Sequence, residues 1–119
     1  MVVPEYMARL DGEKPFDGLE LVEPDLRFLI AIPGRHITGE SRDDLADYIA
    51  NRNAEDRVHN VVRRAVDGDL EVVYGVVTEG GEPTGAFLSA ARISSGGRIH
   101  RYLSFFDTDF RLIDWPAGS

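Results

Sequence analysis

The spacing of apolar residues changes character near the middle of the chain. In the first half, Pro4–Leu10 reads as a short helix: Pro4 suits a first helical turn and Gly12 suits its end. Phe16, Leu19, Leu21 and Val22 within Lys14–Val22 fit a second short helix, against which Gly18 counts. Leu26–Ile32, LRFLIAI, is apolar on both faces, as a strand covered on two sides must be, and Pro33-Gly34 stops it. A brief strand follows over Arg35–Thr38. In GESRDDLADYIANRN, Ser41 and Asp44 make a capping-box-like start, with Asp in the usual Glu position. Leu45, Tyr48, Ile49 and Arg52 then recur at helical spacing, which predicts a helix over Ser41–Arg52.

The second half alternates with period 2 and is punctuated by turns. Asp67-Gly68-Asp69, Gly80-Gly81 and Ser94-Ser95-Gly96-Gly97 separate strands at Arg57–Val66, Leu70–Thr78, Thr84–Ile93 and Arg98–Phe106. RLIDWPAGS reads as loose C-terminal chain, with Trp115 as its docking residue. Helices followed by a four-stranded meander predict an α+β fold, a curved antiparallel sheet with helices closing one face. Such a sheet curls as it twists, and the curl leaves a concave pocket.

One strand does not alternate cleanly. In RIHRYLSFFD, one set is His100, Tyr102, Ser104 and Phe106, and the other is Ile99, Arg101, Leu103 and Phe105. Both mix apolar bulk with polar groups, where a strand with one wet face shows a sharp contrast.

Composition narrows the partners. The 119 residues carry 43% hydrophobic side chains, enough for the core of one domain spanning 1–119. Cysteine is absent, which excludes disulfides and thiolate-bound metal. With 13 basic and 21 acidic residues the net charge is −8, so phosphate backbones are repelled and nucleic acid is not an expected partner. MVVPEYMARL lacks a signal-peptide pattern, and the longest uncharged apolar stretch, Pro83–Ala91, is about half of a membrane span. A soluble, cytoplasmic protein with no membrane partner is expected.

Three stretches carry a resemblance. They are Gly39 with SRDDLADYIANR, then RVHNVVRRAVDGDLE, then GRIHRYLSFFD with its aromatic-Asp end. Together with the element order they make the chain similar to the nuclear-transport-factor-2-like superfamily, in its SnoaL-like branch. The resemblance implies a conical α+β barrel, a deep pocket and a homodimer through the outer sheet face. It leaves function open, because this fold hosts enzymes, binders and transport factors. It also implies that the closing strand turns His100, Tyr102, Ser104 and Phe106 toward the pocket. Leu103 and Phe105, with Val58, Val62 and Val66, would then form the apolar outer face.

The candidates for chemistry follow from that pocket. His59 in DRVHNVV sits where scytalone-dehydratase-like relatives keep a pocket histidine, placed beside Arg57, Val61 and Arg63 on one face. It is either a general acid/base or a half-buried side chain satisfied by a backbone carbonyl. Tyr102 is either its catalytic partner or a packed tyrosine with a wet hydroxyl. Tyr6 falls on the helix where ketosteroid isomerases keep an oxyanion-stabilising tyrosine; packing is the alternative. Phe28, Tyr48, Tyr74, Phe87, His100, Ser104 and Phe106 complete the expected ligand-binding set.

Carboxylate mechanisms of the relatives do not carry over. Ile32 stands before Pro33 where ketosteroid isomerases keep a basic Asp. Ser104 stands where limonene-epoxide-hydrolase-like members keep an acid, and their Arg-x-Asp pair is Arg92-Ile93-Ser94 here. His36, His59 and His100 lie on separate strands without ligand spacing, so neither metal nor other cofactor is expected. Two readings remain. One is a pocket protein for a small apolar molecule, polyketide-like or steroid-like, with lyase or isomerase activity through His59 and Tyr102. The other is a non-catalytic dimeric binding or interaction module.

Overall fold

The computed structural model describes residues 1–52, 54 and 56–114; Trp115 lies outside them. Helix α1 spans Val2–Leu10, a 3₁₀ helix covers Pro15–Leu21, and helix α2 spans Arg42–Asn51. The strands are β1 Val22–Ile32, β2 Arg35–Gly39, β3 Arg57–Asp67, β4 Leu70–Glu79, β5 Glu82–Ile93 and β6 Ile99–Asp107. They form one curved sheet in the order β2-β1-β6-β5-β4-β3. The expected α+β architecture and meander are present, with two differences. β1 pairs with β6 in parallel, because the chain leaves β1 and returns to its side only after the meander. The sheet is also unclosed, with β2 and β3 as its edges.

Both helices lie on the concave face. Val3, Tyr6, Met7 and Leu10 of α1 and Leu45 and Ile49 of α2 bury against Leu26, Val73, Val77, Phe87, Ala91 and Tyr102. The spacing of those helical residues is the amphipathic stripe that a helix needs to dock on a sheet. Specific polar contacts fix the docking. The buried Glu71 carboxylate of β4 accepts the N–H groups of Val2 and Val3 at 2.8–2.9 Å, satisfying donors at the start of α1 that have no helical partner. Ser41 Oγ accepts the Asp44 N–H, as its capping pattern predicts. Arg42 donates to the Val22 carbonyl at 2.8 Å, tying α2 to the head of β1.

Two bulges correct the expected faces. Directly paired residues share a face, and β3 slips by one residue between Val61 and Arg63. Arg57, His59 and Val61 stay on the concave side opposite Glu79, Val77 and Gly75. Arg63 then pairs Tyr74 on the outer side, and Val66 pairs Glu71 on the helix side. Arg63 therefore leaves the His59 face, and Val66 leaves the outer apolar set. A second slip, between Ile93–Ile99 and Arg92–Arg101, makes His100 the extra residue of β6. Ile99 consequently turns inward and is fully buried, against expectation. Beyond the bulge the expected alternation returns: Tyr102, Ser104 and Phe106 face inward, and Arg101, Leu103 and Phe105 face out. Val58, Leu88, Leu103 and Phe105 are each about 40% exposed or more on the outer face. No helix is long and apolar enough to cross a membrane.

Candidate active site

A cavity of about 650 Å³ lies between the two helices and the concave sheet. α1 contributes Tyr6, Met7 and Leu10; α2 contributes Tyr48, Asn51 and Arg52; the sheet contributes Ile30, Ile37, Val77, Phe87, Tyr102, Ser104, Phe106 and His59. Arg35, Asp44, Asp47 and Thr108 stand at the exposed rim. A mostly apolar chamber with a few convergent polar groups is the usual form of a small-molecule site.

One wall of that chamber carries a histidine–aspartate pair, with His59 lining the space and Asp11 behind it. Asp11 is the residue that ends α1. Its carboxylate meets His59 Nδ1 at 2.9 Å and also accepts the His59 backbone N–H at 2.6 Å. β3 is an edge strand, so the His59 amide would otherwise lack a ladder partner; the side chain from α1 replaces the missing strand. An ionised carboxylate only accepts hydrogen bonds, which places the ring proton on Nδ1 and the lone pair on Nε2. Among the described residues Nε2 has no hydrogen-bond partner, and no buried side-chain nitrogen or oxygen goes unsatisfied. Nε2 is therefore open to the cavity that His59 lines. The Phe87 ring packs edge-on against the imidazole at 5.2 Å and fixes its plane.

Hydroxyl groups face the same chamber. Tyr6 and Tyr102 stack edge to face with centroids 5.7 Å apart. Burial, reinforced by the nearness of Tyr102, raises the Tyr6 pKa far above the ordinary tyrosine value. Burial likewise raises that of Tyr102. Both are hydrogen-bond donors at any physiological pH. The Tyr102 hydroxyl is engaged with Ser89 at 3.4 Å, and Ser89 with Ser104 at 2.8 Å. The Tyr6 hydroxyl has no partner among the described residues.

Two cations complete the lining. Arg57 bonds Glu79 at 3.0 Å. Arg52, just past α2, donates one guanidinium N–H to the Leu10 carbonyl at 3.2 Å. Burial lowers its pKa, and the nearby tyrosines and Asp11 oppose that shift.

The structure gathers His59, Tyr102, Tyr6, Tyr48, Phe87, Ser104 and Phe106 around this cavity. Three expected site residues lie elsewhere. Phe28 does face inward, but its ring is packed over Gly39 under the start of α2 and belongs to the core. Tyr74 lies on the outer face, where its hydroxyl accepts the Leu112 N–H at 2.7 Å. His100, displaced by the bulge, stands 3.6 Å from Asp25 away from the chamber. Asp11 and Arg52 are functional candidates that were not singled out. Asp11 carries no local signal beyond lying next to Gly12, the expected helix end, and its partner is 48 residues away. Arg52 was legible only as the last beat of a helical stripe.

No family model and no curated protein matches the sequence. Solved structures do match its shape. A protein from Agrobacterium tumefaciens assigned as an isomerase of the SnoaL-like family superposes with a TM-score of 0.73 at 15% identity, covering 89% of this chain and 94% of its own. A protein from Catenulispora acidiphila with a ketosteroid isomerase-like fold, solved with trimethylamine, gives 0.73 at 17% identity over 89% and 85%. One from Sinorhizobium meliloti assigned as a polyketide cyclase gives 0.67 at 21% identity over 87% and 92%. The chain has the nuclear-transport-factor-2-like fold. At these identities the likeness is one of fold, and function has to be argued from the site.

Proposed function

We propose that the protein catalyses proton transfer on a small, largely apolar carbonyl compound, as an isomerase or lyase, with His59 as general base and acid. The Asp11–His59 pair beside an open chamber carries this reading. Asp11 holds the ring in one tautomer and stabilises the imidazolium that forms, which is what an orienting carboxylate does for a catalytic histidine. Nε2 takes a proton from a carbon next to the carbonyl. The electron pair moves onto the carbonyl oxygen, which Tyr6, backed by Tyr102, stabilises by hydrogen bonding. The imidazolium returns the proton to another carbon in an isomerisation, or to a departing hydroxyl in a dehydration. The aliphatic and aromatic side chains of the chamber wall suit substrates of the polyketide or steroid kind, in line with the assigned activities of proteins sharing the fold.

The test is a screen of enones and hydroxy-ketones for turnover and for deuterium uptake at carbon. Activity in the native protein that falls by roughly 10²–10⁴-fold in His59→Ala supports the reading. Full turnover in His59→Ala removes it. Tight binding of an unreacted ligand across the whole panel would instead favour a non-catalytic binding module.

A further inference from the structure

We propose that the ligand of this cavity is an organic acid and that Arg52 holds its carboxylate. The inference rests on the reading of the cavity as the ligand site and names the class of molecule it takes.

Arg52 carries a charge that its described neighbours leave unmatched. Arg52 lines the chamber and is half-buried, yet among the described residues it makes no ion pair. A guanidinium carries five N–H donors, and among the described residues one is used, on the Leu10 carbonyl. Its neighbour Arg57 is already matched by Glu79. Withdrawing a cation from water without a counter-charge is costly, and such a charge is retained where a ligand supplies the partner. The planar fork of arginine fits a carboxylate with two parallel bonds. Tyr48, one turn earlier on α2, and Tyr6 lie close enough to influence the guanidinium, and both line the same chamber.

Location ties this charge to the chemistry. Arg52 is anchored on the carbonyl of Leu10, and His59 is anchored on the carboxylate of the next residue, Asp11. Both side chains line one chamber, so a ligand held by its carboxylate on Arg52 shares that space with His59. The surroundings favour one negative charge over two. The C-terminal ends of α1 and α2 both meet at Arg52 and carry partial negative charge, and Asp44 and Asp47 stand at the rim. A phosphate dianion would be repelled by this negative surrounding more strongly than a single carboxylate is.

Calorimetric titration with 2-naphthylacetate and its uncharged analogue 2-naphthylacetamide tests this. The native protein should bind the acid roughly 10–100-fold more tightly than the amide, the usual worth of hydrogen bonds to a charged group. Arg52→Gln, which keeps a polar side chain and removes the charge, should bring the two within about threefold. Arg52→Lys should restore part of the preference, and Arg101→Gln, on the outer face of β6, should keep it. Equal affinities in the native protein would overturn the proposal. So would a preference that survives in a folded Arg52→Gln protein, or no binding of either probe up to roughly 10 mM. Preference for the acid without any turnover supports this inference while counting against acid/base chemistry, so the two failures are separable.

Discussion

Asp11 grips His59 at two points, ring and backbone, with one carboxylate. The end of a helix thereby sets both the position of an edge strand and the tautomer of its histidine. Replacing Asp11 separates these tasks. Asp11→Asn can still accept one hydrogen bond, but it cannot stabilise an imidazolium by charge. Turnover is expected to fall by roughly 10²-fold or more, approaching the His59→Ala level. Stability should fall by only about 1–3 kcal/mol, the cost of one impaired buried bond. Steady-state kinetics and urea unfolding on the same preparation give both numbers.

The two raised tyrosines predict a specific response to alkali. Tyr6 and Tyr102 keep their protons in the folded protein, chiefly because they are buried, while in the unfolded chain they titrate near 10. Their contribution is therefore fully present below about pH 10 and is lost as pH rises above it, by roughly 1.4 kcal/mol per pH unit for each. Urea midpoints at a series of pH values should be flat, as far as these groups are concerned, up to pH 10 and then drop. Tyr6→Phe should reduce the slope of that drop.

Glu71 predicts an effect on stability that originates away from the cavity. Its carboxylate caps α1 from the sheet through three contacts with backbone N–H groups. Glu71→Ala leaves those donors unsatisfied, and a loss of about 2–3 kcal/mol in unfolding free energy is expected. Because α1 also presents Tyr6 and Asp11, ligand affinity should weaken in parallel.

Most of this architecture was legible in the chain, and the reasons for the exceptions are local. Turn glycines and a capped helix are short-range signals, and they located β3 to β6 and α2 within a few residues. The parallel pairing of β1 with β6 joins segments about 75 residues apart, such as Phe28 and Tyr102, and no local pattern encodes it. The faces were readable until a bulge intervened. A single extra residue inverts the alternation, which is why His100 and Ile99 exchanged environments and Val66 changed side. Gly75 sits opposite the β3 bulge, where a Cβ would strike the Asn60 carbonyl and the Phe87 ring. A lone glycine inside a strand is the signal that marked the irregularity. His59 and Tyr102 were nameable because the strand pattern and the family resemblance coincide on them. Asp11 was not, because its role exists only once α1 folds across the sheet.

The outer face predicts assembly. Leu88, Leu103 and Phe105 form an exposed apolar strip, with Phe110 and Leu112 exposed along the apolar groove beside it. An exposed patch of that character is uncommon on a monomer. We propose a symmetric homodimer through this face, burying roughly 1,200–2,000 Å² in total. Light scattering should give a dimer at micromolar concentration and a monomer for Leu88→Glu with Phe105→Glu. A native monomer would remove the proposal.

The account turns on the protonation of one ring. Long-range proton–nitrogen NMR at pH 8, where an ordinary histidine is neutral, reads it directly. For His59 the account predicts a protonated Nδ1 and a bare Nε2 whose resonance moves when a ligand fills the cavity. A proton on Nε2 at that pH, or an Nε2 signal indifferent to ligand, would contradict it.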